Sequence, residues 1–427
     1  MFVRPTPTLR AVWACLLSLT VTVAIAGDWP QWRGPNRDGK SAETGLIKNW
    51  GKTPPKHLWT IEGMGKGFAG VSISKGSLYT TGNMEGGQGV IKVNLADHTV
   101  VWTKVVTEGK PKHDFDGSRC TPTIDGDLLY VVTSDGRITC LKAADGEIVW
   151  THAFKAWDGK MHSGWGFSES PLVDGDLVLC TPGGSEAMIV ALNKKTGKEV
   201  WKSAVPKVGD KGGDGAGYSS IVIGHGAGVK QYVTLVGRGV IGVRASDGKY
   251  LWGYNRVANG TANIPTPVTD GDYVFASSGY GTGSCLLKLS QDGDGVKAEE
   301  VYFLDGNVFQ NHHGGFILSD GFIYSGTKNN NGFPICVEMK TGEVKWGGEI
   351  RGAGEGSAAV TMVDGQIIFR YQNGVLALVR ATPSGYELNG TFKPVYQEGN
   401  SWAHPVVSNG LLYLREQNKL MCYDLHE

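Results

Sequence analysis

The sequence predicts an all-β fold, a single eight-bladed β-propeller of four-stranded antiparallel blades, from a repeat, a composition and a count. The repeat is clearest in Thr121 to Trp150, TPTIDGDLLYVVTSDGRITCLKAADGEIVW. It reads as a strand opening on Thr-Pro, a DGD turn, an apolar strand through Leu129, Tyr130 and Val131, an SDGR turn, a third strand ending at Leu141, an Asp-Gly turn and a strand reaching Trp150. Each turn pair supplies the positive-φ positions that two-residue hairpins need. One such meander is too small to bury its own faces, so the copies must pack on one another. In composition, 64 Gly and 13 Trp among 427 residues point to many tight turns joining aromatic-rich strands.

The count sets the number of blades. Second strands pass through Tyr79, Tyr130, Leu179, Val233, Phe275, Tyr324, Phe369 and Tyr413, at a mean spacing of about 48 residues, a period typical of four-stranded blades. Closing strands end at Trp102, Trp150, Trp201 and Trp252, near Tyr302, at Trp346 and near Phe392, one fewer than the second strands. PKHLWTI, with Trp59, supplies the missing one, so the ring is expected to be closed by this N-terminal strand. Closure removes both sheet edges.

Taken in order, residues 1–26 read as a signal peptide. Arg4 and Arg10 precede an apolar run from Ala11 to Ile25, and Ala24-Ile25-Ala26 offers a small-x-small cleavage pattern before Gly27. A run of ~15 apolar residues is short for a bilayer span, so no transmembrane segment is expected after its removal, and the mature protein is expected to be periplasmic or secreted. Residues 27–55 form an N-terminal arm, DWPQWRGPNRDG at its head. The expectation is that it packs on the domain and shields apolar area; its aromatics and Arg33 could also hold a ligand. Residues 56–427 form the propeller.

Charge and cysteine exclude several classes. Lys+Arg and Asp+Glu balance at 41 each, so no basic field supports nucleic-acid binding. Aligned repeats place Cys140, Cys336 and Cys422 in a slot filled by Ala191 and Ala377 in other copies, a small buried position. Adjacent cysteines, C-x-x-C and C-x-x-C-H are absent from the sequence, which leaves no thiol-redox or haem-attachment motif.

The D/T-G-x-x-x-W closing motif, seen in ADGEIVW, KTGKEVW, SDGKYLW and KTGEVKW, with its S/T-P-x-x-D-G-D opening, resembles the pyrroloquinoline-quinone (PQQ)-type propeller repeat. Quinoprotein alcohol dehydrogenases and the barrel-assembly lipoprotein BamB share that repeat. The likeness runs from about Lys56 to Leu425. The arm together with NHHGG (311–315) and WAHPVV (402–407) is similar to planctomycete-type exported members. For a dehydrogenase the resemblance implies PQQ in the channel between a Trp face and a disulfide of neighbouring cysteines, calcium held by carboxylates and amides, and an Asp base. This chain lacks the adjacent cysteines and the long inter-blade insertions, and no catalytic residue is assigned.

In a propeller the first strand of each repeat lines the channel, so the residues just before it converge on one mouth. This selects His113, Asp116, Arg119, Trp165, Glu169, Tyr218, Asn263, His313, Glu355, Trp402 and His404 as a ring suited to a small polar ligand. No metal site is assigned. His312 and His313 are adjacent and face opposite ways on a strand, and the stretches at 114–117 and 292–295 lack the full calcium-loop spacing and read as turns. The expected function is a non-catalytic binding or scaffolding protein of the cell envelope, monomeric, whose partner is an envelope protein or a small polar ligand. The alternative is a PQQ-dependent alcohol or polyol dehydrogenase with calcium.

Overall fold

The computed structural model describes Met1 and residues 27–427, so all but the first residue of the expected signal peptide lies outside the described residues. Eight sheets each carry four strands in meander order, the seventh with one added strand. Blades 1 to 7 span residues 72–105, 123–153, 172–203, 222–254, 268–305, 316–347 and 358–392. Blade 8 takes three strands from 406–424, and its outer strand is Lys56–Glu62, antiparallel to Lys419–Asp424 with Trp59 opposite Cys422. Among the described residues no helix is long and apolar enough to cross a membrane.

The repeated motif is an inter-blade lock. The closing Trp of one blade lies against a turn of the next, and Trp102, Trp150 and Trp346 also donate their indole N–H to a carbonyl there, whereas the buried Trp201 N–H has no partner among the described residues. Trp102 bonds Ala144 O at 3.0 Å and Trp150 bonds Lys194 O at 3.1 Å. A Cβ on the turn glycine would collide with the ring, at 2.9 Å for Gly146 against Trp102, 2.7 Å for Gly197 against Trp150 and 2.3 Å for Gly248 against Trp201. These glycines also have positive φ, so they answer two demands at once. Where Trp is lost, Tyr302 does the same work, donating to Met339 O at 2.7 Å with Gly342 under its ring.

The lock changes form at four seams: Trp346 lies against Tyr386 with no turn glycine beneath it, Phe392 packs on Trp50 and Tyr423 between blades 7 and 8, and the remaining two use other substitutes. Between blades 4 and 5 the receiving turn is displaced by the long hairpin of Gly283–Asp292 and Gly295–Asp305. Trp252 donates instead to Gln231 of its own blade at 2.6 Å, and Arg256 crosses over, 4.0 Å above the Phe303 ring and 2.9 Å from Glu300. At the closure of blade 8 on blade 1 the turn glycine is replaced by His98, whose φ is 60° and whose ring stacks on Trp59 at 4.6 Å. Arg415, fully buried in blade 8, donates to Met64 O at 2.9 Å, Gly65 O at 3.0 Å and Thr80 Oγ1 at 2.8 Å, all on the blade 1 side. Next to it Arg370 of blade 7 meets Glu416 of blade 8 at 2.6 Å, with neither side chain more than 1% exposed.

The Cys/Ala slot also follows from the lock. Cys140, Ala191, Cys336 and Cys422 stand directly opposite Trp150, Trp201, Trp346 and Trp59. A large side chain there would displace the indole. The six cysteines of the described residues are buried and free, so this position is one of packing.

The two demands on the turn glycine can be separated. Gly175 has φ 59° with nothing within 4 Å of a built Cβ, whereas Gly197 has φ 72° and the Trp150 ring in the way. Gly175→Ala is expected to cost about 1 kcal/mol through backbone strain. Gly197→Ala should cost about 1–3 kcal/mol more through overpacking. Urea unfolding of both variants measures the difference, and equal costs would refute the lock.

Candidate functional site

Inner strands run away from the mouth that their preceding loops form, and the arm enters the channel from the opposite face. Near its start, Trp29 exchanges backbone bonds with Ile73 of blade 1 at 2.9 and 2.8 Å, and Pro30 O accepts from Ile124 of blade 2 at 2.8 Å. Farther on, Lys40–Ser41 pairs in parallel with Met362–Val363 of blade 7. Both ends therefore leave by the same face while the tip, Trp32 to Arg37, pushes inward. Two arginines brace the tip against nearly opposite walls. Arg37 donates to Ser170 O at 2.6 Å and Pro171 O at 3.0 Å on the blade 3 side, and Arg33 to Phe316 O of blade 6 at 2.5 Å. The arm is thus a plug in the channel, where surface packing was expected.

Above the plug lies a chamber of about 350 Å³ whose floor includes Trp32 and Arg33. Six of the sequence-selected ring residues line it: Arg119, Trp165, Tyr218, His313, Trp402 and His404. Five do not, for separate reasons. Glu169 turns into the gap between strands, its carboxylate accepting from the Thr181 N–H. Asn263 bridges Gly237 O at 2.9 Å and Val236 O at 3.2 Å. Asp116 pairs with Lys66 at 3.5 Å and Lys110 at 3.3 Å, His113 lies behind Arg119 at 3.2 Å, and Glu355 is exposed.

The walls are aromatic. Trp402 meets Phe68, Phe115 and His313 with centroid distances of 4.7, 5.2 and 5.1 Å, while Trp165 leans on Tyr218 at 6.0 Å and Tyr280 on His312 at 5.2 Å. Trp32 meets His404 edge-on at 5.8 Å. Burial keeps the three imidazoles neutral, His312 at about 4, His404 at about 3 and His313 well below its ordinary value, and at His404 the positive charge of Arg33 acts in the same direction. Arg33 and Arg119 are lowered by burial only to about 10 and stay charged. The second histidine, Trp32, Arg33 and Tyr280 were not among the residues selected from sequence. Their only sequence signal was the aromatic, arginine-bearing arm and the NHHGG run.

A family model described as outer membrane protein assembly factor BamB matches residues 86–348, more than half the chain. The chain belongs to this BamB family of PQQ-type propellers. No match to a curated protein is found. The fold is similar to that of BamB from Moraxella catarrhalis, with TM-score 0.61, 13% identity, and coverage of 87% of this chain and 100% of that one. It is similar to a europium-containing methanol dehydrogenase, with TM-score 0.66, 12% identity and coverage of 92% and 90%. It is also similar to quinohemoprotein alcohol dehydrogenase from Comamonas testosteroni, with TM-score 0.63, 12% identity and coverage of 93% and 80%.

Within the BamB family fold, the chamber does not fit a calcium-assisted quinone. Among the described residues no Asp, Glu or Cys lines it, so a hard cation would meet no carboxylate ligand and a ring would meet no disulfide. No group of three or more His, Cys, Asp or Glu able to hold a metal occurs among the described residues.

Glu169 has a consequence of its own. Burial pushes its carboxyl up from 4.5 to about 7, against the Thr181 bonds and Arg37, which lower it. Because the folded value lies above the unfolded one, its contribution to stability is fully present below about 4.5 and is lost as pH rises through about 7. Relative to Glu169→Gln, the native protein should lose roughly 3 kcal/mol across that window. Urea unfolding of both proteins from acid to neutral pH tests this; parallel profiles would contradict it.

Proposed function

We propose that the protein is an exported, non-catalytic binding protein of the cell envelope that holds a small polar ligand in the chamber above the plug. The observation that carries this reading is the enclosure itself. A chamber of about 350 Å³ is of the size that small-molecule sites occupy, with apolar walls and a few convergent polar groups. The plug removes the through-channel and gives the cavity a bottom. Family membership supports an envelope role, and the N-terminal segment ahead of Gly27 supports export with cleavage at that point. Contact with an envelope protein through the outer loops is compatible with the same scaffold, since the chamber uses only the channel.

The dehydrogenase reading finds less support, because the lining offers no carboxylate to serve as base or calcium ligand. A thermal-shift screen of the purified protein against small polar metabolites tests the proposal. A chamber ligand at about 100 times its Kd should stabilise by about 2.7 kcal/mol, and Trp402→Ala should abolish the shift while leaving the unliganded protein folded. Saturable quinone binding with calcium, followed by alcohol oxidation with an artificial acceptor, would overturn it.

A further inference from the structure

We infer that the floor of the chamber is an oxyanion site, taking the carboxylate of a small ring-bearing molecule onto Arg33 and the paired histidines His313 and His404. The inference rests on the binding reading above and specifies its ligand class.

Arg33 is 6% exposed and forms no ion pair with a carboxylate among the described residues. Its Nη2 is used by Phe316 O and by Asp38 O at 3.1 Å, but its Nη1 is buried with no hydrogen bond at all. Leaving a charged donor buried and unpaired costs free energy that a bound anion would recover. The guanidinium is held by two glycines. A Cβ on Gly39 would stand 2.6 Å from Nη2 and one on Gly315 would stand 2.5 Å from Nη1. Gly315 itself lines the chamber, so Nη1 is held over a bare backbone at its edge.

Two further orphan atoms belong to rings that line the same chamber. His404 Nδ1 and His313 Nε2 are buried and unpaired, and the His404 ring edge lies 3.6 Å from the same built Cβ on Gly315. A neutral imidazole has one N–H and one acceptor nitrogen, and its tautomer follows the partner. Both rings can therefore present N–H to an oxygen already bonded to Arg33. Charge points the same way. Arg119 lies at the rim, and no carboxylate among the described residues lines the chamber to oppose an incoming anion. Around this floor Trp32, Trp165 and Trp402 supply aromatic lining against which a flat or chair-shaped ring can pack. The ligand is consequently an acid with a ring: a sugar acid or an aryl carboxylate, which share this chemistry.

Matched pairs test the site in calorimetry and tryptophan fluorescence: galacturonate against galactose, and benzoate against benzyl alcohol. The acid of at least one pair should bind about tenfold or more tightly than its neutral partner, and which pair responds identifies the source. Arg33→Gln should abolish the preference, Arg33→Lys should keep part of it, and His404→Phe, which preserves the ring against Trp32, should weaken it; melting curves establish that each variant is folded. Neutral partners binding as tightly as their acids, or a folded Arg33→Gln protein retaining the preference, overturns the oxyanion site and leaves the chamber as a ligand site. No binding of any probe at about 10 mM overturns both.

Discussion

The propeller depends on the packing of one blade's closing aromatic against the next blade's turn, and at four of the eight seams that aromatic ring lies over a turn glycine. A four-stranded meander has two faces to bury and cannot do so alone. The lock supplies a fixed angle between neighbours, because the ring slides into the space that a missing Cβ leaves and can be pinned by an N–H bond, as Trp102 is by Ala144 O at 3.0 Å. Repetition of that angle closes the ring at eight blades. Two of the seams that lack the standard lock receive charged substitutes: Arg256 between blades 4 and 5, and Arg415 with the Trp59 and His98 stack at the closure. Closure has to be secured from two directions there, since blade 8 draws its strands from both sides of the chain.

Closing a ring creates a channel, and the arm converts that channel into a container. Its turn-rich sequence lets it enter and leave by the same face. Two arginines with positive φ, 61° at Arg33 and 58° at Arg37, turn the tip so that each guanidinium reaches a different wall. Both terminal nitrogens of Arg37 are engaged, by backbone carbonyls and Gln31, and only its Nε is without a partner. Arg33 is engaged on one side only, which is why the two residues, so alike in sequence, differ in function. Below the plug a second space of about 390 Å³ opens beside blades 3 to 5, so the arm divides the channel and does not fill it.

The blades were legible because their signals repeat. A Trp four residues after an Asp-Gly or Thr-Gly, in four of the blades, is hard to produce by chance, and the small residue facing it in Cys140 or Ala191 is the same constraint seen from the neighbouring strand. The second duty of the glycine was not legible, since the ring it avoids belongs to another sheet. At the channel mouth the sequence located the loops but not the direction of their side chains. Ser168 lines the chamber while Glu169, one residue on, faces the interior between strands. Alternation along a strand makes such neighbours opposite, and the parity of an irregular loop cannot be read before its hydrogen bonds are known. The arm was the largest surprise. Its arginines find partners 133 to 283 residues away, and no local pattern encodes such distances.

Amide hydrogen exchange in the unliganded protein tests whether the arm is an integral plug that floors the chamber. Ile73, Ile124 and Met362 donate their N–H groups to Trp29, Pro30 and Gly39 of the arm, and Gly39 N–H is itself bonded to Arg33 O at 2.9 Å. The account predicts that these amides exchange as slowly as those of the central blade strands, opening only with global unfolding. Exchange at the rate of surface loops would show the arm to be loosely docked and the chamber to have no floor.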